Sequence, residues 1–275
     1  MPKRDLDFRT PLMNAAGTLG FAPDRDLRGL KDLGGLADEL GAFVTNPVSQ
    51  RPRRPAAQPA LIEYPGGFLL HTGLPNPGFP AVLKKHAARW ADAPLPVIVH
   101  LMADRPEETQ QMVEKLESTE NVMAAELGFA PLLADDIILV AVEMCLGELP
   151  LIVCLPEEQI LRIGPAVIQM GAAAVSLAAP RGMLPLTPNP RFDFGRSAPS
   201  AQRDEKEELV AGRLFGPSLF PRTLAVVHAA ARLGLPVIGG GGVYRREQAE
   251  VLKEAGALAV QLDAVLWRGG YSSIE

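Results

Sequence analysis

Short runs of uninterrupted apolar residues alternate along this chain with longer stretches in which apolar and charged residues recur at helical spacing. The short runs are PLMNAAG (11–17), GAFVTN (41–46), LPVIVHLM (95–102), NVMAAELG (121–128), LPLIVCL (149–155), AAAVSLAA (172–179), LPVIGGGG (235–242) and ALAVQLD (257–263). Most are continuous rather than alternating, the pattern of strands buried on both faces. The amphipathic stretches predict helices over 24–40, 105–118, 132–148, 156–171, 218–234 and 246–256. In the second of these, Pro106 stands at the first turn with Glu107 and Glu108 behind it, residues that suit the positive end of a helix. Strands alternating with helices predict a parallel sheet. An open, doubly wound sheet is the alternative. The count of eight strands, the length of 275 residues and a Gly-rich segment after the seventh strand favour an α/β fold of the closed (β/α)8 TIM-barrel type, one domain over 1–275.

Two stretches break the rhythm. Residues 47–80 are rich in Pro and Gly, and residues 180–205 have the same character. Both follow a predicted strand, so both are expected as long loops on the C-terminal face, where barrels of this kind carry their active sites. The charged run at 203–209 reads as a solvated helix start.

Composition narrows the function. Apolar residues make up 47% but aromatics only 5%, so the core must be built from Ala, Val, Leu and Ile. The net charge of −5 gives no basic face for nucleic acid. Arg51, Arg53 and Arg54 lie among prolines and read as a solvated loop, with a small anion-binding patch as the alternative. Two cysteines and four histidines build neither a disulfide framework nor a four-ligand zinc site. The N-terminal residues lack the apolar stretch of a signal peptide, and no run is long enough to span a membrane. The expectation is a cytoplasmic protein with a small-molecule substrate, no nucleic-acid or membrane partner, and a homodimer as its assembly.

The sharpest local signal is GGGG at 239–242, closing a buried strand just before a helix that starts near Arg245 or Arg246. Glycine lets a backbone approach an anion closely, and N–H groups at a helix start point outward to receive it. The next strand ends beside it at Asp263 and Ala264. A phosphate site is expected there; a tight turn without a ligand is the alternative. Polar side chains at the other predicted strand ends and in the top-face segments are Asn14, Asn46, His71, His100, Glu126, Cys154, Arg181 and Arg213. His71 is a candidate proton donor or acceptor. His100 reads as a barrel-lining residue, and Cys154 as a small buried group rather than a nucleophile. Arg181 is a candidate cation for an acidic substrate, and Glu126 has no assignable role.

Taken together, LMNAAGTLGF (12–21), GAFVTNPVSQRPR (41–53), YPGGFLLHTGLPNPGF (64–79), GRLFGPSLFPRTLAVV (212–227) and the segment 235–266 resemble, in order, the dihydroorotate dehydrogenases. These are (β/α)8 barrels that use FMN (flavin mononucleotide). The resemblance implies FMN contacts at Ala15, Ala16, Gly17, Asn46, Cys154, Gly216, Gly241, Gly242, Asp263 and Ala264. It implies substrate contacts at Thr72, Gly73, Leu74, Asn76 and Arg181, beside the catalytic candidate His71.

The departures concern the reactive positions. Asn46 and Cys154 stand where the family carries lysines near the flavin. Gly128, Phe129, Ala130 and Pro131 stand where the family has an Asn and a Cys or Ser base. Leu70 and Ala178 or Ala179 replace substrate-binding asparagines, and Asp263 replaces a Gly beside the phosphate. Three functions follow. The first is an FMN oxidoreductase of dihydroorotate dehydrogenase type with an altered substrate. The second is a degenerate flavin- or phosphate-binding barrel serving as a partner subunit. The third, ranked last because no lysine stands at a strand end for Schiff-base chemistry, is a phosphosugar lyase or isomerase.

Overall fold

The computed structural model describes residues 6–23, 39–186 and 209–268. Eight short strands run parallel in one sheet: β1 (Leu12–Asn14), β2 (Phe43–Val44), β5 (Val97–Met102), β6 (Val122–Gly128), β7 (Leu151–Leu155), β8 (Ala174–Leu177), β11 (Val237–Gly240) and β12 (Ala257–Leu262). Their spatial order is β1-β12-β11-β8-β7-β6-β5-β2, so the two ends of the list are β1 and β2. These meet through a parallel bridge between Met13 and Ala42, and the sheet closes into the expected barrel. The seam is completed by a side chain. Asn14 Nδ2 donates to the Val44 carbonyl at 2.7 Å, and its Oδ1 accepts the Val44 N–H at 2.9 Å. The carboxamide thus stands in for a missing strand residue, satisfying a buried N–H and C=O together.

Helices α1 (Phe79–Ala91), α2 (Pro106–Glu117), α3 (Asp135–Cys145), α4 (Glu157–Met170), α5 (Phe220–Arg232), α6 (Arg246–Glu254) and the short α7 (Val265–Arg268) follow strands in the sequence. Alternate strand residues such as Val99, Leu127, Val153, Val175 and Val260 point outward and pack with Met112, Val142, Val167 and Val227 from the helices. The residues between them point inward. Met13, Val44, Ile98, Ala124, Ile152, Ala174, Ile238 and Ala259, one from each strand, fill the barrel with a dry layer. Helix α1 was not anticipated; its Trp90 is fully buried and its indole N–H donates to the Phe21 carbonyl at 2.7 Å. The expected helix over 24–40 lies almost wholly outside the described residues. No described helix is long and apolar enough to cross a membrane.

The two stretches expected as long loops are corrected in part. Residues 47–80 contain the hairpin β3 (Ala60–Tyr64) and β4 (Gly67–His71); of the 180–205 stretch only 180–186 lie among the described residues, and they hold β9 (Arg181–Pro185), while β10 (Leu209–Phe215) comes after it. They join as an antiparallel sheet in the order β3-β4-β10-β9. Leu209, expected within a helix start, begins a strand instead. Alternating small and large residues in these segments suit a two-faced strand, and Pro65–Gly66 turns the first hairpin, with Gly66 at φ 92°. Both hairpins grow from the C-terminal ends of barrel strands, so this second sheet lies over the mouth of the barrel.

Candidate active site

Two residues beyond the dry layer, the inward positions change character. His100 on β5, Glu126 on β6, Cys154 on β7, Ser176 on β8 and Gln261 on β12 each follow an apolar inward residue by one strand period, so they form a polar layer nearer the mouth. Glu126 is its centre and is 1% exposed. Its Oε1 accepts from Ser176 Oγ at 2.6 Å and from Gln261 Nε2 at 2.9 Å. Its Oε2 lies 2.6 Å from His100 Nδ1. Burial alone would push this carboxyl up, but the His100 hydrogen bond and charge, with Ser176 and Gln261, outweigh it and hold the pKa below the ordinary value. An ionised Glu126 fixes the hydrogen of His100 on Nδ1 and leaves Nε2 as the acceptor when the ring is neutral.

That second nitrogen meets Gly128. A Cβ at position 128 would lie 2.4 Å from His100 Nε2, so the imidazole occupies the space a side chain there would need. Gly128 ends β6 at the mouth, and His100 is therefore a layer-spanning residue: held below by Glu126 and facing upward beside the chain end of β6.

Over the mouth sits Arg213. Cross-strand pairing puts Phe68, Leu70, Arg213 and Phe215 on one face of the antiparallel sheet. The guanidinium lies about 3.8 Å from where a Gly17 Cβ would stand, and 5.5 Å from the Phe215 ring centroid. Burial, and then the neighbouring Arg181, lower its pKa. Arg181 faces Arg213 across β9 and β10 but is itself exposed. Two arginines close together on one face form an anion-attracting patch.

The remaining expected residues take quieter places. His71 ends β4 on the opposite face from Leu70 and Arg213, so the register does not aim it into the mouth. Asn76 is buried, and its carboxamide is spent on the loop: Oδ1 accepts from Ser49 and Gly78 N–H, and Nδ2 donates to the Leu74 carbonyl. Thr72 Oγ1 accepts the Leu74 N–H, and the Gly73 carbonyl accepts from Arg53 Nε at 2.6 Å. Asn46 Oδ1 accepts the Gly20 N–H, pinning the segment after β1, and the Ala15 N–H joins Leu262. Ala16 packs on the dry layer from above. Burial first, and then the Glu126 charge, push the Cys154 thiol far up, which excludes it as a thiolate at neutral pH.

The third level is the expected phosphate site. Gly241 and Gly242 follow β11 with φ of 113° and 77°, and a Cβ on Gly242 would lie 2.4 Å from the backbone N of Phe220 at the start of α5. Only glycine allows this approach. Asp263, 4% exposed, turns its carboxylate onto the same ground. Its Oδ1 accepts the Ala264 N–H at 2.5 Å, and the N–H groups of Gly242 and of Asp263 itself also donate to it. Ala264 packs with Phe68 and Phe215, and Gly216 follows β10, ahead of the short turn Pro217–Leu219 that leads into α5.

The dihydroorotate dehydrogenase family model matches residues 4–128. The dihydroorotate dehydrogenase B (NAD(+)) catalytic subunit of Pelobacter propionicus is 29% identical over 272 residues, covering 94% of this chain and 84% of that protein. That of Pyrococcus furiosus is 28% identical over 290 residues, covering 97% and 87%. Over most of its length the chain is similar to the dihydroorotate dehydrogenases. The resemblance implies FMN as the cofactor, with its phosphate at the amides of Gly241, Gly242, Asp263 and Ala264. Two of these residues, Gly242 and Ala264, already donate to the Asp263 carboxylate, as does Asp263 itself. A phosphate dianion and this carboxylate cannot share them, so the residues as they stand do not fit the phosphate end of FMN.

Sequence reasoning placed Glu126 and His100 at strand ends but did not join them, and it missed Ser176 and Gln261. The usable signal was spacing: a polar residue two positions beyond an apolar one in five buried strands.

Proposed function

We propose that this chain is an oxidoreductase of the dihydroorotate dehydrogenase type acting on a small anionic substrate other than dihydroorotate, with His100 as its proton acceptor. The observation that carries this reading is the Glu126–His100 pair. The segment 128–131 has no thiol or hydroxyl to act as a base, and the pair supplies one from the next strand. Glu126 orients the imidazole through Nδ1, and Nε2 takes a proton from a substrate carbon held above Gly128, while the hydride of the adjacent carbon would leave to a two-electron acceptor of the flavin class. Arg213, with Arg181 beside it, attracts and orients the substrate's negative charge. The dry layer beneath keeps water from the lower face of the pair.

The carboxamides that would recognise a pyrimidine ring are absent at Leu70, Ala178 and Ala179 and committed to the loop at Asn76. This supports a substrate with a carboxylate but without the orotate ring. The relatives are named as catalytic subunits, which supports a partner chain for this one as well. A barrel that has lost turnover is the second reading, and the seat taken by Asp263 is what favours it.

Dehydrogenation of a panel of small carboxylates, with added riboflavin or FMN and a dye acceptor, tests the proposal. A carboxylate other than dihydroorotate is expected to turn over, and His100→Ala to lower that rate by about 10²- to 10⁴-fold, the usual contribution of a general base. Glu126→Gln is expected to fall between. Rapid oxidation of dihydroorotate at a rate His100→Ala leaves unchanged would sink it.

A further inference from the structure

The anion cradle at the end of β11 and β12 is complete and filled from within. Its floor is the pair of left-handed glycines 241 and 242, pressed against the start of α5. Its donors are main-chain N–H groups of Gly242, Asp263 and Ala264, and all of them go to one carboxylate. The side chain reaches them by folding back on its own residue, which places the acid where an incoming anion would be received. An apolar cluster adjoins the cradle through Ala264, which packs with Phe68 and Phe215, and the Trp267 ring lies 5.4 Å from that of Phe215. Every group bonded to the carboxylate is a backbone amide, so its charge is met by dipoles and not by a cation.

We propose that Asp263 is a built-in occupant of this cradle, so that the barrel discriminates against ligands ending in a phosphate. A phosphate monoester must displace the carboxylate from its amides and then share a buried space with it. Juxtaposed like charges in a protein interface cost several kcal/mol. A ligand with the same ring system and no phosphate meets neither obstacle. The deep burial that raises the Asp263 pKa to about 6 agrees with an acid held in place by geometry. Since the proposal concerns binding alone, it stands apart from proton transfer at His100.

Fluorescence titration of the full chain with FMN and with riboflavin, which differ only by the phosphate, tests it. The wild type is expected to bind FMN no tighter than riboflavin. Asp263→Gly opens the cradle and is expected to tighten FMN about 10- to 100-fold while riboflavin stays within about threefold. Asp263→Ala serves the same end if the glycine variant does not fold. Two results overturn the proposal: a wild type that prefers FMN by tenfold or more, or an opened variant that binds FMN no tighter than the wild type does.

Discussion

Two carboxylates are buried near the C-terminal ends of different barrel strands, Glu126 on β6 and Asp263 just after β12, and they are held in opposite ways. Glu126 receives three side chains, one of them an imidazole, and its pKa lies below the ordinary value despite complete burial. Asp263 receives only backbone N–H groups, and burial raises its pKa from 3.8 to about 6. Side-chain donors can be placed around a charge from several strands at once, and an imidazole can share the charge. Backbone donors are fixed by the course of the chain and carry no net charge. A site built from the first kind stabilises its ion. A site built from the second kind is suited to a transient anion, and a permanent one sits there at a cost.

The largest break in this comparison comes from Glu126→Leu. It leaves the Ser176 hydroxyl, the Gln261 carboxamide and the His100 ring in the barrel without their shared acceptor. Removing one member of a buried ionic or hydrogen-bonded set typically costs about 3–5 kcal/mol, and urea unfolding should show a loss of that size. A loss under about 1 kcal/mol would mean that water or a neighbour replaces the carboxylate, and that the polar layer is looser than its distances imply.

Asp263→Asn should move stability the other way. The unfolded chain releases this proton near 3.8 and the folded chain near 6, so between those values the folded state holds more protons. Stability from this group is therefore full below the lower value, falls as pH rises through the window, and is reduced by about 3 kcal/mol above it. Asparagine keeps an oxygen for the amides without the charge. The variant should match the wild type near pH 4 and exceed it near pH 8 by up to that amount, read from denaturation midpoints at the two pH values. Equal stability at both would show that the carboxylate is solvated or paired after all.

The barrel was legible from the sequence because buried parallel strands leave a simple trace, continuous apolar runs such as those around Val97–Met102 and Leu151–Leu155. The second sheet was not, because Pro and Gly in 47–80 and 180–205 read as loop while their pairing is non-local: β4 finds β10 across more than a hundred residues. The site was half legible. Positions at strand ends follow from topology, so Glu126, His100 and Asp263 could be named. What each one touches depends on register between strands distant in sequence, as in the bond from Gln261 to Glu126. The fate of Asn76 was equally hidden, since nothing in GLPNPG states that its carboxamide turns inward to hold Ser49 and Gly78. The Asp263 side chain turned out to compete for the amides that its neighbours present, a local contact that the substitution of a glycine already hinted at.

Asn14 sharpens the comparison with the smallest change, because it does with a neutral group what Asp263 does with a charged one. Its carboxamide both donates to and accepts from the backbone of Val44, closing the barrel between β1 and β2. Asn14→Ala leaves one buried N–H and one buried C=O unmatched, with an expected cost of about 2 kcal/mol. Asn14→Asp keeps an acceptor for the Val44 N–H but sets a second carboxylate oxygen against the Val44 carbonyl, so it should cost more than the alanine at pH 7. Lowering the pH protonates that carboxyl and restores a donor, so the aspartate variant should regain stability on acidification where the alanine variant does not. If the two variants behave alike across pH, the seam admits water, and the distinction between neutral and charged side chains on backbone amides would have to rest on Asp263 alone.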